Sequence, residues 1–144
     1  MLCGRSWLQG ARAGPVKGTA ALAQIRHKEL SYRVVGCAQR VHRVLGPGCP
    51  EAVYGKALRH ELARAKLPFQ SEKAIEVWYE GVLCGEFRLD LVVAERVVVE
   101  LKALKDLDND HLAQALSYLK ASGLALGLLL NFGTASLQAQ RVVL

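Results

Sequence analysis

The sequence predicts an α/β fold in which a mixed β-sheet is flanked by helices. Before Pro68 apolar residues recur every three or four positions, beyond it they alternate, and a stretch apolar on both faces follows a later helical segment. The order expected is helix, helix, three strands, helix, strand.

The first helix is expected over Lys28–Leu45, where Leu30, Val34, Val35, Ala38, Val41, Val44 and Leu45 form a stripe and Arg33, Arg40 and Arg43 take much of the remaining surface. Gly46-Pro47-Gly48 breaks it, and Pro50 suits a first helical residue, whose N–H needs no partner. A second helix should run from Pro50 to Lys66. It sets Glu51, Tyr54, Leu58 and Leu62 along one face and Lys56, Arg59 and Arg64 toward the outside, and Leu67-Pro68 ends it. Strands are expected at Ala74–Tyr79, turning at Glu80-Gly81, at Val82–Val93 with a bend at Gly85, and at Val97–Lys102, whose β-branched run suits a sheet. Past the polar residues 105–110, Leu112, Ala115, Leu116 and Leu119 mark a third helix, capped by Asn109 or Asp110 and closed by Gly123. Leu124–Phe132 reads as a strand buried on both faces, and Arg141–Leu144 as a short last strand.

A chain of 144 residues suits one domain with one core. Its 51% hydrophobic and 22% charged residues argue against a disordered chain. Residues 1–27, acid-free and without apolar periodicity, are expected to form a disordered basic extension, leaving 28–144 as the domain. The formal charge of +6 is uneven: residues 28–66 hold eight bases against three acids, residues 67–144 seven against ten. A basic front half joined to an acidic back half fits a polyanion-binding arm beside a cation-binding pocket, though Arg and Lys coating solvated helices give the same balance. Cys3, Cys37, Cys49 and Cys84 form no C-x-x-C pair, which argues against zinc or iron–sulfur sites and fits free thiols in the cytoplasm. The longest apolar run, Leu124–Leu130, is far shorter than the roughly 20 residues that span a bilayer, so no membrane association is expected.

The second and third strands concentrate the chemistry. With residues 94–96 as their loop, Asp90 faces Glu100 and Arg88 faces Lys102, so both carboxylates share a face of the sheet. Like charges so placed repel, and a hard divalent cation relieves the repulsion with oxygen ligands. Glu100 and Lys102 alternate with Val97, Val99 and Leu101, which pack behind. The plainer alternative is a solvated ladder of cross-strand ion pairs worth about 0.2–1 kcal/mol each. Glu51 opens its helix, where its charge suits the dipole, while Gln114 and Tyr118 sit four apart on the third helix, opposite its apolar face.

The run Gly48-Cys49-Pro50-Glu51-Ala52-Val53-Tyr54 matches the signature for which the GxxExxY proteins are named. Around it stand Val41-His42-Arg43 and Leu45-Gly46-Pro47-Gly48, then Phe87-Arg88-Leu89-Asp90-Leu91, Val99-Glu100-Leu101-Lys102-Ala103, Gln114 with Tyr118-Leu119-Lys120, and Gly127 through Gly133. Over residues 28–144 the chain resembles that family, which is placed in the PD-(D/E)XK nuclease superfamily with an αβββαβ core. The resemblance implies that Asp90 and Glu100 bind the metal with the Leu101 carbonyl, and that Lys102 positions or activates the attacking water. It further implies that Glu51 is the helix-borne acid reaching the metal, often through water, and Gln114 the polar residue following the E-x-K strand. Leu89 stands where the superfamily name has proline. The function expected is a Mg²⁺-dependent nuclease, with Mn²⁺ as substitute, acting as an endo- or exonuclease. Arg40, Arg43, Arg59 and Arg64 would contact the nucleic-acid backbone. The rivals are a non-catalytic nucleic-acid-binding module and a protein-interaction subunit on the same fold.

Overall fold

The computed structural model describes residues 17–144, with side chains from His27 onward. Two helices come first, α1 (Lys17–Leu45) and α2 (Glu51–Arg64), followed by strands β1 (Phe69–Tyr79), β2 (Val82–Val93) and β3 (Val97–Lys102). Helix α3 (Asn109–Ser122) leads into β4 (Leu126–Asn131) and β5 (Gln138–Val143). The sheet order is β1-β2-β3-β4-β5, antiparallel except for β3 and β4, which run parallel because α3 carries the chain back between them. The expected α/β class and mixed sheet are therefore present. Helix α1 starts at Lys17, earlier than the expected Lys28, and residues 1–16 of the expected extension lie outside the described residues.

Helices α1 and α2 cover one face of the sheet. Val34, Cys37, Ala38 and Val41 of α1 and Tyr54, Leu58 and Leu62 of α2 pack on Leu91, Val93, Val97, Val99, Leu101, Leu128 and Leu130. Val44, expected in the stripe, is 83% exposed, since it lies about 80° around the helix from Val34 at 100° per residue. Helix α3 covers the opposite face, setting Ala115 and Leu119 against Leu89, Val92 and Val98. Strand β4, in the sheet's interior, is buried along its whole length, as a run apolar on both faces requires.

Local chemistry sets the connections. Glu80 and Gly81 both have positive φ, the signature of the tight hairpin turn that matches strand twist. A bulge after Val77 leaves Cys84 without a partner beside Gly85, where the bend was expected. Val93 pairs with Val97 over the loop 94–96, and the Ala94 N–H donates to the Pro68 carbonyl at 2.7 Å. The cap of α3 is Asp108, not Asn109 or Asp110: its carboxylate accepts from the His111 N–H, while the Asp108 N–H donates back to His111 Nδ1. Cys37, Cys49 and Cys84 are free, and Cys3 lies outside the described residues. Among the described residues, no helix is long and apolar enough to cross a membrane.

Candidate active site

The ladder between β2 and β3 runs through Val93↔Val97, Val92↔Val98 and Leu91↔Val99 and goes no further. Beyond it, side chains replace backbone partners. The Asp90 N–H donates to Glu100 Oε1 at 3.1 Å, and the Leu101 N–H donates to Asp90 Oδ2 at 2.9 Å. The expected juxtaposition of Asp90 and Glu100 thus takes the form of two side-chain-to-backbone bonds across opened strands. The expected pairing of Arg88 with Lys102 does not form, because the strands have separated: Arg88 lies 3.7 Å from Glu86, and Lys102 reaches α3 instead.

The opening is tied to a twist in β2. Leu89 packs on the α3 side and Leu91 on the side of α1 and α2, although residues two apart in a regular strand share a face. On β1, Ser71 pairs with Leu91 and Lys73 with Leu89, and the residue between them, Glu72, has φ 53°. The alternation of both strands therefore slips at Glu72 and Asp90. Asp90, Leu91, Leu101 and Glu72 line a cleft of about 320 Å³, closed on its far side by Glu51, Ala52, Gly55 and Arg59 of α2.

Glu51 reaches this cleft because Tyr54 fixes the loop ahead of it. The Tyr54 hydroxyl donates to the Gly46 carbonyl and accepts from the Cys49 N–H at 3.1 Å, while its ring stacks on Phe132 with centroids 4.6 Å apart. Gly46 and Gly48 take φ of 66° and 108° in that turn, which L side chains rarely adopt. The glycine and tyrosine of the G-x-x-E-x-x-Y run are thus structural, and the glutamate is what they present.

On β3, Lys102 Nζ donates to Gln114 Oε1 of α3 at 3.1 Å, joining two residues that the sequence singles out separately. The chain leaving Lys102 is held by fully buried Asn131, whose Oδ1 accepts from the Leu104 and Gly133 N–H groups and whose Nδ2 donates to the Leu104 carbonyl. A side chain at Gly133 would collide with the backbone of Ala103 and Leu104, so only glycine allows this approach. Asn131 carries no periodic signal in the sequence, and its role depends on the parallel pairing of β3 with β4.

Electrostatics single out Glu100. It is 5% exposed, and burial first, then the neighbouring Asp90 charge, pushes its carboxyl up to about 9. Burial and Asp90 also raise Glu51, against the pull of Lys102. Burial, Glu100 and Asp90 raise the phenol of Tyr118, which therefore lies in the field of the acid pair while its ring packs against Phe87. Among the described residues Asp90 and Glu100 form no salt bridge, and no three His, Cys, Asp or Glu side chains form an ion-binding cluster. The candidate donor set is therefore two hard carboxylates with neighbouring backbone carbonyls, while Glu51 lines the same cleft as Asp90. Such a set fits a hard divalent cation, which needs one or two carboxylates with waters completing the shell.

The four arginines expected on nucleic acid have different surroundings. Arg59 lines the cleft. Arg40 and Arg64 both turn to Glu61, at 3.1 and 3.6 Å, and Arg43 borders a separate cavity with His42 and Pro47. Sequence reasoning missed Glu72 and left Tyr118 without a role. Glu72 lies in a polar stretch that gives no strand signal, whereas Tyr118 was discernible one helical turn from Gln114.

Residues 28–142 match the PD-(D/E)XK nuclease superfamily, and the chain belongs to it. No curated protein and no solved structure is significantly similar to the chain. Nucleases of this superfamily generally use divalent metal ions, which accords with the donor set around Asp90 and Glu100.

Proposed function

We propose that this chain is a nuclease of the GxxExxY type that hydrolyses phosphodiester bonds of nucleic acid. Mg²⁺, or Mn²⁺ in its place, would be held by Asp90, Glu100 and the Leu101 carbonyl. The observation that carries this reading is the opened end of the β2–β3 pair, where Glu100 accepts the Asp90 N–H and Asp90 accepts the Leu101 N–H, beside a lysine held by a glutamine.

In such a site a divalent ion supplies a lowered pKa for the attacking water and neutralises phosphate charge. Lys102 orients that water and sets a fixed positive charge near the oxygen on which negative charge grows. Gln114 keeps the ammonium from swinging into solvent. Glu51, which lines the same cleft as Asp90, would contact such an ion through water. The rigid apolar backing of Val97, Val99 and Leu101 spares these groups any reorganisation during the reaction.

The test is cleavage of duplex DNA, single-stranded DNA and RNA with Mg²⁺, Mn²⁺ or EDTA. Cleavage should require metal, and Lys102→Ala should lower its rate by roughly 10²–10³-fold while leaving nucleic-acid affinity nearly unchanged. Cleavage that survives EDTA, or a Lys102→Ala variant that cuts like the parent, would end this reading. A parent that binds nucleic acid yet cuts none of the substrates would be a binding module instead.

A further inference from the structure

Helix α2 places Glu51, Gly55 and Arg59 at intervals of four, so they line one side of the helix, and all three border the cleft. Gly55 is buried, and a Cβ built there would stand 3.4 Å from Arg59 Nη1, the only heavy atom it would meet within 4 Å. The guanidinium therefore lies back along the helix over the bare backbone of Gly55, in the direction helical side chains lean. A Cβ at that distance would be in ordinary van der Waals contact with the guanidinium, whereas a larger side chain would press on it.

Arg59 also differs from its neighbours in what it contacts. Arg40 and Arg64 are paired with Glu61, and Arg33 donates to the Ala65 carbonyl. Among the described residues Arg59 makes no ion pair and no hydrogen bond, although Glu51, Glu72 and Asp90 line the same cleft. A half-buried guanidinium with unused donors, facing carboxylates across a gap it does not bridge, is arranged to meet an anion between them.

We propose that Arg59, which lies along α2 at the cleft wall, grips the non-bridging oxygens of the phosphodiester bound beside Asp90 and Glu100. This assignment rests on the nuclease reading for its ligand and makes Arg59 a substrate-contacting residue. Arg40, Arg43 and Arg64 then play at most a general electrostatic part. The planar fork of arginine matches two phosphate oxygens at once, which a lysine does not.

The test is anisotropy of fluorescein-labelled single-stranded and duplex DNA and single-stranded RNA oligonucleotides, with EDTA present so that no bond is cut. Arg59→Ala should weaken binding by about tenfold, the loss of one charge-assisted contact, whereas Arg43→Ala and Arg64→Ala should each weaken it by less than about threefold. Arg59→Lys should recover only part of the loss. Gly55→Val keeps every charge but sets methyls beyond the Cβ against the guanidinium, and should weaken binding, though by less than Arg59→Ala. If Arg59→Ala binds within about twofold of the parent, or the parent binds no oligonucleotide, the assignment is overturned. If Arg59→Ala loses affinity as stated while the parent cuts nothing in Mg²⁺ or Mn²⁺, Arg59 keeps its role and the hydrolytic reading alone fails. If the parent cuts and Arg59→Ala matches it in Kd and kcat/KM, the hydrolytic reading stands and Arg59 is out.

Discussion

Between Leu91 and Val93, β2 is bonded to β3 residue for residue and sealed by apolar side chains on both faces. At Asp90, one position earlier, the same strand has lost its ladder partner, and a carboxylate stands where backbone would otherwise close. Physically the two ends serve opposite purposes. The closed end exchanges water for hydrocarbon and is the stabilising half. The open end buries an acid beside a second acid, a cost that Lys102 offsets only in part and that leaves Glu100 protonated well above the ordinary carboxylate range. Apolar packing and the candidate site are thus divided along one pair of strands within a few residues, with the closed end serving as rigid support for the open one.

The comparison breaks most severely if the closed end is weakened. Leu91→Ala removes a fully buried side chain and should cost about 2–5 kcal/mol, read by urea unfolding, with no dependence on added metal. A loss below about 1 kcal/mol would mean that the closed end is not where stability resides.

The open end should respond to pH in the other direction. In EDTA the folded chain keeps a proton on Glu100 that the unfolded chain releases above about 4.5, while the folded carboxyl rises to about 9. The stabilising contribution of that proton is complete below about 4.5 and is lost as pH climbs toward about 9, at about 1.4 kcal/mol per pH unit. From pH 6 to pH 8 the metal-free parent should therefore lose about 1–3 kcal/mol that Glu100→Gln does not lose. Parallel pH profiles for the two proteins would show that Glu100 is ionised in the fold. Raised Glu51 adds to the same trend in the parent and cancels in the difference.

A smaller effect is expected opposite Asp90. Glu72 holds a positive φ of 53° without being glycine, so Glu72→Gly should relieve strain and remove a charge near Asp90. The net gain should be at most about 1 kcal/mol, since glycine returns part of it as unfolded-state entropy. Destabilisation would mean that the Glu72 side chain holds the open end in shape.

Much of this division was legible in the chain. The alternation of Val82–Val93 and Val97–Lys102 gave both strands with their observed bounds, and the three residues between them gave the register that brings Asp90 to Glu100. The start of β1 was not legible, because Gln70, Ser71, Glu72 and Lys73 lie on an edge strand with little apolar burial to impose a period. Similarly, β5 begins in Gln138, Ala139 and Gln140 on the other edge, ahead of the expected Arg141. The opening at Asp90 was hidden for a different reason: it depends on the slip at Glu72 across the hairpin, a tertiary event with no local signature. The arginines show the same limit, since helical spacing placed Arg40, Arg59 and Arg64 outward but could not reveal that Glu61 draws two of them and that the third lines the cleft.

The central claim, that the open end is a cation seat, is tested most directly by thermal unfolding of EDTA-stripped parent and Asp90→Asn as Mg²⁺ is added. Without metal, Asp90→Asn should keep the fold, because an amide oxygen still accepts the Leu101 N–H. With metal, the parent should be stabilised by about 2.7 kcal/mol at a hundredfold excess of ion over Kd, and its melting temperature should rise accordingly, while that of Asp90→Asn stays nearly fixed. Equal shifts in the two proteins would place the ion elsewhere and contradict the account.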